Sequence, residues 1–201
     1  MRSVTQMSIL GVTILGIGCG ETTPPPTELP TVVESQDEIN SEDGALKLTR
    51  GALSVQSISL VGSDGNVPLL GPVTLDLAVH EQALPLLTDI PVGEYTGLRI
   101  ELAPEREGAE TLDVDVQSLT TQQSVRATSR LSMSGETTFP EGPRSIAEDS
   151  EVELRVLLQG MFFYLSPISG AVDGHYDVDE ENGGNFLTMD LINMFDLRVL
   201  R

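Results

Sequence analysis

Apolar and polar residues alternate with a period of two along much of the chain after about residue 45. The alternation is clearest in five segments: Val73–Val79, Thr96–Leu102, Leu112–Val116, Val125–Leu131 and Val152–Val156. Each segment puts apolar side chains on one face and polar or charged ones on the other, as antiparallel strands with one solvated face do. Turn sequences rich in Gly, Asp, Asn and Pro separate the segments. Many short strands with this punctuation predict a β-sandwich or barrel.

The alternation changes phase in one long segment. Leu53 and Val55 share one face, whereas Ile58 and Leu60 share the other. An extra residue in one strand of a pair restores the phase, so we expect a β-bulge near Ser57.

The last part of the chain is less regular. Leu187, Leu191 and Met194 recur at helical spacing and predict a two-turn helix, and Phe195–Leu200 predicts a closing strand. The aromatic run at 160–165 fits either a strand extension or a helical turn. The expected fold class is therefore mainly β, an antiparallel sandwich with one or two short helices near the C-terminus.

An uncharged, mostly apolar run at residues 7–18 precedes the single cysteine, Cys19. The run is too short to span a bilayer, but it suits the hydrophobic region of a signal peptide. Gly16 and Gly18 supply small residues before the cysteine. Residues 1–18 resemble a bacterial lipoprotein signal peptide, which implies that cleavage leaves Cys19 as a lipid-modified N-terminus. An ordinary cleaved signal peptide is the alternative.

Residues 20–44 contain four prolines, seven acidic residues and no basic residue. Such a composition buries too little apolar surface to offset the entropy of ordering, and it favours an extended chain. We therefore expect residues 19–44 to form a disordered tether and residues 45–201 to form one β-sandwich domain. Gly20 stands where inner-membrane lipoproteins carry aspartate, which favours an outer-membrane location.

The charge of the chain narrows the range of partners. It has 31 acidic residues against 11 basic ones, for a formal net charge of −20. Nucleic acid is excluded as a partner, because a polyanion is bound through lysine and arginine. Anionic lipid headgroups are disfavoured for the same reason, so we expect membrane attachment through the N-terminal lipid. A single cysteine also excludes an intramolecular disulfide.

A Pro-x-Gly-x-Tyr motif precedes one of the alternating segments. Pro91 restricts φ, Gly93 permits a sharp or left-handed turn, and Tyr95 is placed to cover the end of the core, so the motif predicts a corner between strands. With the preceding Val-Thr-Leu-Asp-Leu segment, this region resembles domain-of-unknown-function family 4382 and, more broadly, prealbumin-like and carboxypeptidase-regulatory-like sandwiches. The resemblance implies an Ig-like or prealbumin-like fold in a secreted or lipid-anchored bacterial protein. It implies no reaction.

The residue types needed for catalysis are sparse. His80 and His175 are the two histidines available as bases, and no serine lies in a nucleophile-elbow sequence. An enzyme is therefore the least favoured class, with no catalytic residues expected.

The best candidate for a ligand site is an acidic loop. Asp177, Asp179 and Glu181 alternate and present the oxygen ligands that Ca²⁺ prefers, although the EF-hand pattern fails. A solvated acidic loop without metal is the alternative, so we expect no cofactor other than this possible calcium.

These observations favour a lipid-anchored cell-envelope protein that acts as a non-enzymatic binding or structural module. Its expected partner is a protein or a glycan. A carbohydrate-binding sandwich is one alternative, although the chain has no Trp, three Tyr and five Phe for stacking on sugars. A calcium-stabilised surface adhesion module is the other.

Overall fold

The computed structural model describes residues 28–34, 39–41, 44–158, 174–179 and 184–200. These residues form fourteen strands and one helix. In chain order the elements are β1 (Glu28–Glu34), β2 (Ile39–Ser41), β3 (Gly44–Gly62), β4 (Gly65–Leu70), β5 (Val73–Asp76), β6 (Glu81–Pro85), β7 (Gly93–Leu102), β8 (Leu112–Ser118), β9 (Ser124–Ser129), β10 (Met133–Thr138), β11 (Arg144–Ile146), β12 (Glu151–Leu157), β13 (His175–Asp177), α1 (Gly184–Asn193) and β14 (Phe195–Leu200).

The strands form two sheets that share one hydrophobic core. The four-stranded sheet has the order β14-β12-β1-β6, and the ten-stranded sheet is built along the path β10-β7-β3-β8-β9-β13. Both sheets contribute fully buried side chains to a single cluster, including Leu29, Leu154 and Leu197 from the first and Leu53 and Ile100 from the second. The prediction of a mainly β sandwich is confirmed. Most pairings are antiparallel, but β1 with β12 and β9 with β13 are parallel.

Strand β3 is the central strand of the larger sheet and pairs with more strands than any other described strand. Leu53 pairs with both Leu75 and Leu112, so β5 and β8 lie on opposite edges of β3. The register with β7 shifts between Val55 and Ser57, which is where the sequence predicts a bulge. The shift keeps all four apolar residues of the phase change in the core, since Leu53, Val55, Ile58 and Leu60 are fully buried.

Strand β5 ends earlier than the alternation predicts. The segment Val73–Val79 was expected to stay extended, but β5 ends at Asp76. The Asp76 carboxylate accepts a hydrogen bond of 2.9 Å from the amide of Ala78, which turns the chain. Val79 is consequently 43% exposed. A local side-chain hydrogen bond therefore overrides the hydrophobic pattern here.

The folded domain begins earlier than the composition predicts. Glu28–Glu34 falls inside the expected tether of 19–44, yet it forms β1, between β12 and β6. Leu29 and Val33 are each 1% exposed, so the strand contributes fully to the core. The acidic and proline-rich composition masked a short apolar–polar alternation in this segment. Burial between two neighbouring strands stabilises the segment as a strand.

Pro30 is tolerated within β1 because the pairing of β1 with β12 begins only after it, at Thr31. β1 pairs with β6 from Glu28 to Val32, but its register with β12 starts at Thr31. Proline has no amide hydrogen and is tolerated where a strand has a neighbour on one side only. Upstream of Thr31 the two parallel strands are not hydrogen-bonded, and a groove opens between them.

The C-terminal part contains the predicted helix and the predicted last strand. Leu191 and Met194 are buried at 0% and 2% exposure, and β14 spans Phe195–Leu200 as expected. The helix packs on β10, where a Cβ at Gly135 would lie 3.1 Å from Ile192 Cγ2. The aromatic run at 160–165 lies outside the described residues. Within those residues, no helix has the length and apolarity needed to cross a membrane.

Candidate binding groove

A groove of about 660 Å³ lies at one end of the four-stranded sheet. It is lined by the start of β1, the start of β12 and the end of β14, together with the segments that follow β6 and β11. Because β1 and β12 are parallel and β14 and β6 run against them, these strand ends meet at the same edge of the sandwich. We call this feature the end groove.

The floor of the end groove is apolar. It is formed by side chains that are buried or half-buried: Leu29, Leu86, Ile90, Ile146, Val152 and Leu200. Leu29 and Ile146 are 1% and 4% exposed, so they are fixed by the core beneath. A floor of this kind offers apolar surface to a ligand without any rearrangement of the core.

The rim of the end groove is acidic. Glu28, Asp89, Glu148 and Glu151 are exposed and line the opening, and no basic residue is among the lining residues that the structure describes. Within the described part of the chain, none of these four carboxylates forms an ion pair. The rim therefore concentrates uncompensated negative charge around an apolar surface.

The acidic character continues onto the neighbouring solvated face of β1, β6 and β12. A shallower depression on that face shares Glu28 and Pro30 with the end groove and adds Glu81 and Glu153. The two concavities thus form one continuous acidic surface.

Outside the end groove, the four-stranded sheet carries an arginine that lies between two carboxylates. Arg155 on β12 donates to both oxygens of Glu34 on β1, at 2.8 and 2.5 Å, and lies 3.6 Å from Asp196. The Arg155 hydrogen bonds hold the pKa of Glu34 below its usual value. Asp196 also pairs at 3.0 Å with Arg144 of β11, which belongs to the larger sheet. These contacts fix the end of β1 and link the two sheets.

The larger sheet carries its acids in a different arrangement, which we call the charge ladder: Arg50, Asp113, Asp115 and Arg126. Asp113 accepts from Arg126 at 2.7 Å and from Arg50 at 2.9 Å, and Arg50 also donates to Asp115 at 2.7 Å. The hydrogen bonds from Arg126 and then Arg50 lower the pKa of Asp113 to about 2. In sequence these aspartates are indistinguishable from any wet-face charge, but each has an arginine partner across the strands.

The Pro-x-Gly-x-Tyr segment forms a closed corner before β7. The hydroxyl of Tyr95 donates to the carbonyl of Pro91 at 2.8 Å, and the Tyr95 side chain is buried at 4% exposure. Burial also raises the pKa of Tyr95. Gly93 does not adopt a left-handed φ; a Cβ there would lie 3.7 Å from the Tyr95 ring. The motif is a structural corner beside the end groove, since Ile90 precedes Pro91 and Ile146 pairs with Gly93.

The acidic-loop candidates for calcium are only partly described. Asp177 ends β13, where it accepts from the Thr128 hydroxyl at 2.5 Å and lies 2.9 Å from His175 Nε2. These contacts, Thr128 first, lower its pKa. Asp179 is exposed, and Glu181 lies outside the described residues. Among the residues that the structure describes, no three His, Cys, Asp or Glu side chains are grouped to hold a metal. A calcium site at this loop stays a prediction.

Sequence reasoning missed the end groove because its lining comes from four separated stretches of chain. The signal that was available is the alternation of Leu29, Thr31 and Val33 inside the acidic segment, all three of which are buried. Cys19 lies outside the described residues, so its lipidation also stays a prediction.

Comparison with known proteins supports no inference about this chain. No protein-family model matches the chain, and no curated protein sequence does either. Among solved structures, the chain is similar to MbnP from Methylosinus trichosporium, with 9% identity, a TM-score of 0.39, and coverage of 88% of this chain and 99% of that one. Similarity at this level carries no functional inference. The resemblance to domain-of-unknown-function family 4382 stays a prediction.

Proposed function

We propose that this protein is a cell-envelope binding module, held at a membrane by a lipid on Cys19, which captures its partner in the end groove. The observation that carries the proposal is the end groove itself, an apolar floor ringed by four carboxylates. Its carboxylates are exposed on the rim and its floor carries no titratable side chain, an arrangement that suits binding rather than acid–base catalysis.

The position of β1 sets the distance between the end groove and the anchor. Nine residue steps separate Cys19 from Glu28, which lines the groove. Fully extended, they span at most about 30 Å, whereas a tether reaching to residue 44 would span about 85 Å. A lipid on Cys19 would therefore keep the acidic end of the sandwich close to the membrane surface, where envelope partners are concentrated.

Metabolic labelling with palmitate tests the anchor. We expect label in the wild-type protein and none in Cys19→Ser, which should also move from the membrane to the soluble fraction. Gly20→Ala keeps the thiol and serves as the matched control, so it should be labelled like the wild type. Equal labelling of wild type and Cys19→Ser, or no labelling of either, contradicts the anchor.

The absence of aspartate after Cys19 supports the outer membrane as the location in a cell with two membranes. Density-gradient separation of the membranes tests this assignment. We expect the protein in the heavier, outer-membrane fraction. Replacing Gly20 by Asp is expected to shift it toward the inner-membrane fraction, and an unchanged distribution would contradict the assignment.

A further inference from the structure

We propose that the partner of the end groove is a basic peptide segment with apolar anchors, contributed by another envelope protein and bound in an extended conformation. The inference rests on the proposed function, since it names the chemistry of the partner for the same site. Three features favour such a partner: the shape of the groove, its charge, and the composition of the chain that leads into it.

The shape fits an extended segment. The end groove opens where β1 separates from β12, and it is lined by strand ends together with the segments that follow β6 and β11. In the described residues, Glu28–Pro30 pairs with β6 on one edge and with no strand on the other. Alternate side chains of an extended peptide point to opposite sides, so one set faces the apolar floor while the other lies at the rim.

The charge selects a basic segment over a neutral one. Glu28, Asp89, Glu148 and Glu151 have no ion-pair partner within the described residues, and Glu81 and Glu153 continue the negative surface along β1. On the larger sheet the central aspartates are already neutralised by Arg50 and Arg126. Four carboxylates without an ion pair in the described residues thus lie together around the apolar floor, and a partner with lysine or arginine at the rim removes their mutual repulsion.

The chain that leads into the groove does not supply this charge. Residues 20–27, which precede the groove-lining Glu28, include Glu21 and no lysine or arginine. Like charges repel at the rim, so this segment is a poor occupant. A partner from outside the segment fits better.

The test uses the mature protein as isolated from cells, with fluorescent heptapeptides as probes. One peptide alternates lysine with leucine, a second replaces each lysine by glutamate, and a third replaces each leucine by serine. We expect saturable binding of the lysine–leucine peptide that weakens at about 0.5 M salt, because exposed charges are screened. The other two peptides should bind at least about tenfold more weakly.

Two matched pairs of substitutions locate the binding. Glu148→Gln with Glu151→Gln removes two rim carboxylates and should weaken binding of the lysine–leucine peptide about three- to tenfold. Glu107→Gln with Glu141→Gln removes the same charge from exposed turns outside the groove and should leave binding unchanged. Equal loss in both pairs means a general effect of net charge and overturns the proposal.

The peptide series also separates other occupants. Equal affinity for the lysine–serine peptide means binding by charge alone, and equal affinity for the glutamate–leucine peptide means an apolar occupant with no charge requirement. Either result overturns the proposal. These measurements do not depend on lipidation, so loss of palmitate labelling with intact peptide binding would contradict the anchor and leave the partner chemistry standing.

Discussion

The two sheets of the sandwich carry their carboxylates in different surroundings. On the ten-stranded sheet, Asp113 accepts hydrogen bonds from two arginines and Asp115 from one. At the end of the four-stranded sheet, the described part of the chain gives the rim of the end groove four carboxylates and no basic residue. Charges that are already paired contribute to the structure of a sheet, whereas unpaired charges beside an apolar surface are available to a partner.

The two sheets also differ in how they are assembled. The larger sheet is organised around the long strand β3, which pairs with β2, β4, β5, β7 and β8. The smaller sheet brings β1 beside β12, with Val33 opposite Val156. Because β1 lies between β12 and β6 in a sheet of only four strands, we expect changes in β1 to disturb the pairing on both of its sides.

The largest effect is expected from shortening the buried side chain of β1. Leu29→Ala removes a side chain that is 1% exposed and should lower the free energy of unfolding by about 2–5 kcal/mol. Leu87→Ala is the matched control, since Leu87 is 55% exposed. Urea unfolding followed by circular dichroism measures both. A small effect at Leu29, equal to that at Leu87, would place β1 outside the core.

The second-largest loss of stability is expected at Arg155, the arginine that fixes the end of β1. Arg155→Ala leaves Glu34 and Asp196 without that partner and should destabilise the fold by about 1–3 kcal/mol, measured by the same unfolding experiment. The control is Arg99→Ala, because Arg99 is 51% exposed and 3.7 Å from Glu136. That substitution should cost about 0–1 kcal/mol. Similar losses for the two arginines would contradict a special role for Arg155.

The charge ladder should contribute less than Arg155 to the free energy of unfolding, and its contribution should depend on pH. Asp113→Asn is expected to cost about 1–2 kcal/mol at neutral pH, because its partners are half-exposed. Asp115→Asn should cost less, since among the described residues the Asp115 side chain pairs with Arg50 alone and is 33% exposed. The order is checked by urea unfolding, and a larger loss at Asp115 would contradict it.

The pH dependence follows from the lowered pKa of Asp113. Its carboxylate stabilises the fold above its ordinary pKa of 3.8, and this stability is lost as the pH falls toward about 2. Unfolding measured at several pH values should therefore show a decline between pH 4 and 2 that is shallower in Asp113→Asn. Identical slopes for the wild type and the variant would rule out this contribution.

The smallest effect is expected at the corner before β7. Tyr95→Phe removes the hydroxyl that donates to Pro91 and keeps the ring, so the expected loss is about 0.5–1.5 kcal/mol. Thermal melting with circular dichroism detects a loss of this size. An unchanged melting temperature would mean that the hydrogen bond adds nothing to the packing of the ring.

Most of the larger sheet could be predicted from local alternation. Strands β7 to β9 and the bulge beside Ser57 follow from spacing that involves few residues at a time. Outside that sheet, the closing strand Phe195–Leu200 and the helix before it follow in the same way. The early end of β5 did not follow, because the Asp76 turn competes with an equally good extended pattern. Local hydrogen bonding of this kind is visible only once the chain is folded.

Neither β1 nor the end groove could be predicted from local sequence patterns in the same way. Pro30 and the acidic neighbours of β1 indicate a disordered segment. The strand is stabilised instead by burial of Leu29 and Val33 against strands that are distant in sequence. The groove depends on that pairing, since it opens upstream of Thr31 where β1 and β12 separate. A surface that exists only through long-range pairing leaves no contiguous motif in the sequence.

Amide hydrogen exchange on the mature protein tests the central claim most directly, namely that Glu28–Glu34 belongs to the folded sandwich and not to a tether. The Val33 amide donates at 2.8 Å to the carbonyl of His80, the residue before β6. We predict that this amide exchanges as slowly as that of Leu154 in the neighbouring strand, through global unfolding. Exchange of Val33 at the rate of an unstructured peptide would contradict the account, and with it the end groove and its short connection to Cys19.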